Sequence, residues 1–510
     1  MKILEAGFGV FVLMVVHASA HTHGHEVEKT SWKEVEKEEL LPGLLRQFVH
    51  GKQSMLVRFD FKEGSTVPIH SHPNEQITYV ESGKMVFTIG DKEETLEAGD
   101  LVVIPPNVPH GGKVVEDTIE FDVFAPPRLD WITGQEYAFK GQEAPKIESP
   151  YKTKKTLAGS EIGVVKQLDF RPGNLAVLPD GRIVFSLHPM GVPQKYKVLE
   201  LLPDGTTKPF PNETYAQAVD EETGIGFDAV IGVESDQYGR VWMLDMGGVD
   251  GHPAKLVVWN TRGDELLYSI PVPRPVMQGN SFMQDLAIDL KHEKIYIADM
   301  TRSGMIDENN PAIVSVDLKT GQSRRVLFEH ASLNPDEKKP FVIDGIEMGL
   351  KDGEGKEHGI FLGLNPITID PKNEWVYYGA MNSGDLYRIP AAVLADESLS
   401  AEEVRAKVER YGDKPVCDGI VAGADGKIYT TAVNEDAIHY TDESGKSQLL
   451  AKSPELSWPD GMSVGPDGMI YVTVDQLGRV GGLNKGEDRT KAGEFYIVRL
   501  SPAGKVAIGR

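Results

Sequence analysis

The chain predicts an all-β protein in two parts, a small N-terminal barrel followed by a larger ring of repeated hairpins. Three observations carry that expectation. The 510 residues include 53 glycines and 32 prolines, a turn-rich excess that favours many short strands over helical bundles. Between Gln53 and Phe124, short strands with apolar/polar alternation follow one another, and no segment of helical period intervenes. From Asn174 onward, one hairpin pattern recurs six times.

Composition narrows the partners. Hydrophobic residues make up 40% and charged residues 25%, an ordinary globular balance. Acidic residues outnumber basic ones 77 to 53, for a net charge of −24, and no Lys/Arg cluster interrupts the excess. Such a surface repels a phosphate backbone at long range, which excludes nucleic acid. A small-molecule substrate or ligand is the expected partner. Cys417 is the sole cysteine, so no intrachain disulfide can form and stability must come from packed sheets.

Residues 1–20, MKILEAGFGVFVLMVVHASA, follow the plan of a cleavable signal peptide: Lys2, an apolar run from Phe8 to Val16, and the small-x-small ending Ala18-Ser19-Ala20. The run is short for a membrane span. The expectation is a secreted or periplasmic protein with no membrane association after cleavage. Residues 21–44 read as a mobile His/Glu-rich lead. Its first residues, His21-Thr22-His23-Gly24-His25, read as a polar tail, although a free amine with alternating imidazoles can also chelate Cu(II) or Ni(II).

Residues 45–130 hold the predicted barrel. Two stretches carry its chemistry: Gly64-(x5)-His70-Ser71-His72-(x3)-Gln76-(x6)-Gly83 and Gly99-(x5)-Pro105-(x4)-His110. Strand side chains alternate faces, so His70, His72 and Gln76 can share the interior while Glu75 points away. A turn at Pro73-Asn74 could shift that parity, which keeps Glu75 as a substitute ligand. His110 arrives from a distant strand and completes a four-ligand set.

The two stretches resemble the paired motifs of the cupin superfamily, and the resemblance covers roughly residues 45–130. It implies a jelly-roll barrel with one divalent transition metal, Fe, Mn, Ni or Zn, in its mouth. It also allows a homodimer through the barrel. Many cupins carry Glu where Gln76 stands; the neutral Gln leaves a metal more Lewis-acidic. The closing segment, Asp122-Val123-Phe124-Ala125-Pro126-Pro127-Arg128, resembles the tail of small pectin-pathway cupins that linearise 4,5-unsaturated uronates. That resemblance implies Asp122 as a proton shuttle outside the ligand set, Phe124 as cover for a sugar face and Arg128 as a carboxylate clamp.

A Pro- and Lys-rich linker is expected over 131–156, and a six-bladed β-propeller over 157–510. Its six hairpins begin at Asn174, Gly232, Asp285, Asn365, Asp418 and Asp460, most with a D-G or equivalent turn. Pairing of a strand around Ile162–Lys166 with the final FYIVRL should close the ring. Ser400-Ala401-Glu402-Glu403 is a capping box for an inserted helix, with Gly412 as its stop. Stretches such as SDQYGRVWMLDMG (235–247), LAIDLKHEKIYIADM (286–300) and GIFLGLNPITID (359–370) resemble the yellow and major royal jelly protein family. Members of that family include dopachrome-converting enzymes, amine binders and nutritive proteins, so it implies the fold without fixing a function. A more distant resemblance is to gluconolactonase-type propellers, which hold a divalent metal in the central channel.

Residues that begin each innermost strand crowd around the axis. This makes Asn365, Asp418 and Asp460 candidates for a channel site suited to Ca²⁺ or Mg²⁺, and equally for plain loop residues. Asp285, one place later in its repeat, is expected to be rotated away. His188, His252, His292, His330, His358 and His439 show no ligand spacing and read as surface residues. The functional expectation is an exported enzyme whose metal barrel isomerises or opens a small oxygenated substrate, with a sugar acid as best guess. Its propeller would bind or convert a related molecule, lactonase- or isomerase-like. The alternatives are a secreted small-ligand-binding protein with an accessory metal barrel, and a dioxygenase acting on phenolics.

Overall fold

Two long strands organise the N-terminal part. Glu75–Ile89 and His110–Ala125 pair antiparallel over most of their length, with Gln76 opposite Phe124, Thr78 opposite Asp122 and Val80 opposite Glu120. Alternation buries those six side chains on one face. Six more strands complete an eight-stranded sheet ordered Glu38–Leu41, Leu44–His50, Met55–Phe61, His110–Ala125, Glu75–Ile89, Lys92–Glu97; Thr66–His70 joins the fourth of these and Leu101–Ile104 the fifth. The long strand bends at Gly83, whose φ is +91° and where a Cβ would lie 2.3 Å from the Asp117 carbonyl oxygen. Val57, Phe59, Phe61, Met85, Phe87 and Phe124 fill the interior.

The computed structural model describes residues 29–506 except 52–53, 73, 107, 126, 133–147, 154, 248–251 and 302–309. The expectations for residues 1–20 and for His21, His23 and His25 lie outside the described residues. The chain divides into two units, Met1–Gln142 and Glu143–Arg510. Among the described residues no helix is long and apolar enough to cross a membrane.

The barrel is longer than 45–130 at both ends. Glu38–Leu41, expected in the mobile lead, pairs with Leu44–His50, and Gln47 Nε2 donates to the carbonyls of Trp32 and Val35 at 2.7 Å each. At the other end the short helix Leu129–Ile132 returns Trp131 to the core. Its indole lies between two guanidiniums, Arg46 at 4.6 Å and Arg128 at 4.3 Å. Neither end carries a strand or helix pattern long enough to be read alone. Their order comes from these contacts.

The second unit is a ring of six blades. Five are four-stranded or begin as such sheets, with innermost strands Pro172–Val177, Val230–Ser235, Met283–Asp289, Leu364–Ile369 and Ile420–Ala422. The sixth runs Pro459–Val464, Ile470–Val474, Phe495–Leu500, Gly163–Leu168, Lys155–Thr156. Gly163–Leu168 thus pairs antiparallel with Phe495–Leu500 and closes the ring as the sequence predicts. An Asp holds the first hairpin of each blade: Asp180, Asp236, Asp289, Asp370, Asp425 and Asp467 each accept a backbone N–H two to five residues on.

Two sequence expectations are corrected here. The propeller begins before 157: Tyr151, assigned to the linker, is buried, donates to the Leu201 carbonyl at 2.7 Å and accepts from Ile183 N at 3.1 Å. The inserted helix has its capping box at Ser400 and Glu403 but ends at Arg405, and Gly412 lies in the strand Glu409–Asp413. We expect the segments 29–142 and 143–510, expressed separately, each to unfold cooperatively, and a propeller begun at Leu157 to melt below one begun at Glu143, because it lacks Tyr151. A non-cooperative melt of the longer propeller would refute independent folding.

Candidate functional site

Three histidines and one glutamine converge inside the barrel. His70 ends Thr66–His70 and pairs with His110, the first residue of the long strand; Gln76 is the second residue of Glu75–Ile89. One potential ligand atom from each of His70, His72 and His110 lies within 4.8 Å of the others. His72, Gln76 and His110 are buried, and Glu75 is exposed on the outer face. The turn leaves parity intact, so Glu75 is no substitute ligand.

Hydrogen bonds fix which atom of each ring faces inward. The Nδ1 atoms of His70, His72 and His110 meet the carbonyls of Pro68 (2.9 Å), Asn74 (3.1 Å) and Val108 (2.7 Å). A carbonyl only accepts, so each Nδ1 carries the proton and each neutral ring keeps its lone pair on Nε2. Burial foremost, then Arg128 and the neighbouring imidazoles, pushes His72 down to about 2; burial also lowers His110. Both rings are neutral in ordinary buffers.

The glutamine is oriented as firmly. Its Nε2 donates to Thr78 Oγ1 at 2.8 Å and to Asp122 Oδ2 at 3.0 Å, and Thr78 Oγ1 donates to Asp122 Oδ1 at 2.6 Å. Gln76 Oε1 is therefore the atom that lies 3.1 Å from both His72 Nε2 and His110 Nε2. Three acceptor atoms face one another with no hydrogen between them. A cation in their midst resolves that arrangement, and the donor set of imidazole nitrogens and one amide oxygen suits a divalent transition metal.

The three tail residues surround this centre differently. Phe124 packs edge-on against His72, ring centroids 5.3 Å apart. Arg128 is buried, with its guanidinium 5.5 Å from the Phe124 centroid. Asp122 stands behind Gln76, with both carboxylate oxygens engaged by Gln76 and Thr78. Beside it lies Glu120, which the sequence reading missed. Burial raises Asp122 to about 6, and burial together with the Asp122 charge raises Glu120 well above the usual carboxylate range. The pair holds a proton.

The propeller channel has the opposite character. In five blades the innermost strand carries one extra residue near its start, a β-bulge that re-aims side chains toward the axis. The bulge between Met283 and Asp285 turns Asp285 inward, contrary to the expectation that it is rotated away. It accepts from Asn174 Nδ2 and from Ile367 N, both at 3.3 Å. Asn365 Nδ2 donates to Asp418 Oδ1, and Trp458 Nε1 to Asp418 Oδ2 at 2.7 Å. Asp418 and Asp460 line a cavity whose other walls include Met190, Met300, Phe341, Met381 and Trp458.

His188 lines the same cavity and is buried, which corrects its reading as a surface residue. It forms a compact group with Asp460 and Asp475, one polar atom of each within 4.8 Å of the others. His188 Nδ1 accepts the Met190 N–H at 3.1 Å, so the neutral ring presents an N–H from Nε2 and is a poor metal ligand. Repeat alignment held a signal for both missed residues. At the end of the second strand, or one or two places past it, each blade carries a polar residue: His188, Asp245, Asp299, Asn382, Asn434 and Asp475. Four of these cap backbone N–H groups at a neighbouring chain entry. Burial pushes Asp285 and Asp475 up to about 8 and Asp418 to about 6, and it raises Asp460 as well.

Comparison with known proteins agrees with this architecture. The sequence model of the major royal jelly protein family matches residues 229–493, and that of the cupin domain matches residues 57–124. Among curated proteins nothing matches the chain. Among solved structures the chain is similar to an RmlC-like cupin from Shewanella frigidimarina (29% identity, 21% of this chain and 96% of that one, TM-score 0.20). It is also similar to KdgF from Halomonas sp. (28%, 21% and 99%, TM-score 0.20) and to regucalcin, a calcium-binding protein from Agrobacterium tumefaciens (15%, 69% and 95%, TM-score 0.41). Because the first family match spans just over half of the 510 residues, the chain belongs to the major royal jelly protein family, and it carries a cupin domain ahead of the propeller.

Proposed function

We propose that the cupin domain holds one divalent transition metal on His70, His72, His110 and Gln76, and that it acts there on a small oxygenated anion, with a sugar acid as the preferred class. The observation that carries this reading is the convergence of Nε2 lone pairs on Gln76 Oε1. A bound metal would supply Lewis acidity, enhanced by the neutral Gln. Arg128 gives the mouth a fixed positive charge for a substrate carboxylate, and Phe124 offers an apolar wall. The Asp122–Glu120 pair holds a proton within the same interior. The residue 1–20 pattern supports export as part of this reading.

A second reading concerns the propeller. Apolar, methionine- and aromatic-lined walls over the Asp418 and Asp460 carboxyls favour a small cationic or amine ligand. A Ca²⁺ or Mg²⁺ ion is the other occupant these carboxylates suit.

Three outcomes test these readings. His70→Ala combined with His110→Ala should abolish the transition metal found by elemental analysis; unchanged content would refute the site. The cupin domain should accelerate loss of the ultraviolet absorbance of a 4,5-unsaturated uronate, and Arg128→Ala should raise KM about 10- to 100-fold, the loss of one charge-assisted contact. No acceleration with metal bound would discard the sugar-acid reading, and oxygen uptake with phenolics would then support the dioxygenase.

The third outcome is a pH dependence of the propeller. Asp285 and Asp475 bind protons more tightly folded than unfolded, so their contribution lowers stability as pH rises from about 4 to about 8. The melting temperature of the propeller should fall over that window, and Asp285→Asn should flatten the fall. A rise in melting temperature with millimolar Ca²⁺ at pH 8, absent at pH 5, would identify a cation as the occupant.

A further inference from the structure

We infer that Asp122 and Thr78 are positioning residues that fix Gln76 as a carbonyl-oxygen ligand, and that this lock dictates a neutral amide at position 76. The inference rests on the metal reading above. It reassigns Asp122 from a group that meets substrate to one that acts through a ligand.

The geometry is a closed ring of three hydrogen bonds. Gln76 Nε2 donates to Thr78 Oγ1 and Asp122 Oδ2, and Thr78 Oγ1 donates to Asp122 Oδ1. All three side chains are at most 4% exposed, so water offers none of them a substitute partner. The register holds the ring in place: Thr78 sits opposite Asp122 on the paired strands, and Gln76 shares their face two residues away. With a cation held on the imidazoles, an amide flip would set Gln76 Oε1 against the Asp122 carboxylate and would turn two N–H bonds from their acceptors toward that cation. Each loss in a buried site costs about 1–3 kcal/mol. The carbonyl therefore stays aimed at His72 and His110, whose own Nε2 atoms are aimed by backbone carbonyls.

The lock also explains the residue type. A carboxylate at 76 would place an oxygen against Asp122 Oδ2 and Thr78 Oγ1, where the amide nitrogen supplies an N–H to each. Simple charge counting says that Gln76→Glu strengthens binding of a divalent cation. The lock says that it does not, unless Asp122 is changed with it. In the double variant Gln76→Glu plus Asp122→Asn, the new amide donates to the new carboxylate and Thr78 Oγ1 donates to one of the two, so the amide–carboxylate bond returns with its polarity reversed.

The test is a Zn²⁺ competition titration against a chelating indicator on the full chain, with His70→Ala plus His110→Ala as the blank for sites elsewhere. Asp122→Leu, which leaves no acceptor for Gln76 Nε2, and Thr78→Val should each weaken Zn²⁺ binding about 10- to 100-fold, the range for partners of metal ligands. Gln76→Glu alone should bind no more tightly than wild type, and the Gln76/Asp122 double variant should recover wild-type affinity or better. That recovery also shows that the barrel folds with position 122 changed. Asp122→Leu with wild-type Zn²⁺ affinity, or Gln76→Glu tighter than wild type by itself, would overturn the lock. Absence of Zn²⁺ binding by the wild-type chain above the blank would instead overturn the metal reading.

Discussion

The pairing of Gly163–Leu168 with Phe495–Leu500 is the constraint from which the larger unit follows. It joins strands more than 300 residues apart and removes the two edges that an open fan of sheets would expose. Closure sets six innermost strands around one axis, and their starts have nowhere to point but inward. Asn174, Asp285, Asn365, Asp418 and Asp460 therefore meet across the channel. Contacts such as Asn174 to Asp285, from the first blade to the third, exist only because the ring is shut.

The two units manage buried polarity in opposite ways. In the barrel, acceptors converge: the His72 and His110 nitrogens face an amide oxygen, His70 stands beside them, and Arg128 adds positive charge nearby. In the propeller, buried carboxyls converge, and burial and their mutual charge push Asp460 and Asp475 above the usual carboxylate range, with Arg171 the neighbouring cation that opposes the shift. The chain as a whole carries −24, yet many of its acids are consumed locally. The six hairpin aspartates bind backbone N–H groups, and polar residues at or just past the second-strand ends cap chain entries. The acidic composition is thus partly structural rather than a uniform surface field.

Much of this was legible in the sequence because it rests on local rules. Period-two alternation marked the barrel strands, and the motif spacing put His70, His72, Gln76 and His110 on one face. The D-G hairpins counted the blades. What escaped depends on contacts distant in sequence. Glu38–Leu41 and Trp131 have no pattern of their own, and they are ordered by Leu44–His50, Arg46 and Arg128. Glu120 looked like one more acidic strand residue until pairing set it beside Asp122's site. Asp285 was misplaced because a bulge, invisible to simple repeat counting, shifts the parity of the strand. His188 offered no ligand spacing, and its one mark in the sequence is that a polar residue recurs at or just past the end of each second strand.

The fifth strand of the closing blade has a mechanical consequence. Lys155–Thr156 is held to Gly163–Leu168 by just two residue pairs, Thr156 with Gly163 and Lys155 with Val164, and a short turn joins the two strands. Tension applied through the chain upstream first loads the buried Tyr151, bonded to Leu201 and Ile183, and once that anchor gives it opens the hairpin from its free end, one pair at a time. The next strand inward is different. Gly163–Leu168 runs alongside Phe495–Leu500 through five paired residues, and it anchors the ring itself. A pull on the tether thus meets a weak peeling element before it reaches the closure, so the outer strand works as a mechanical fuse.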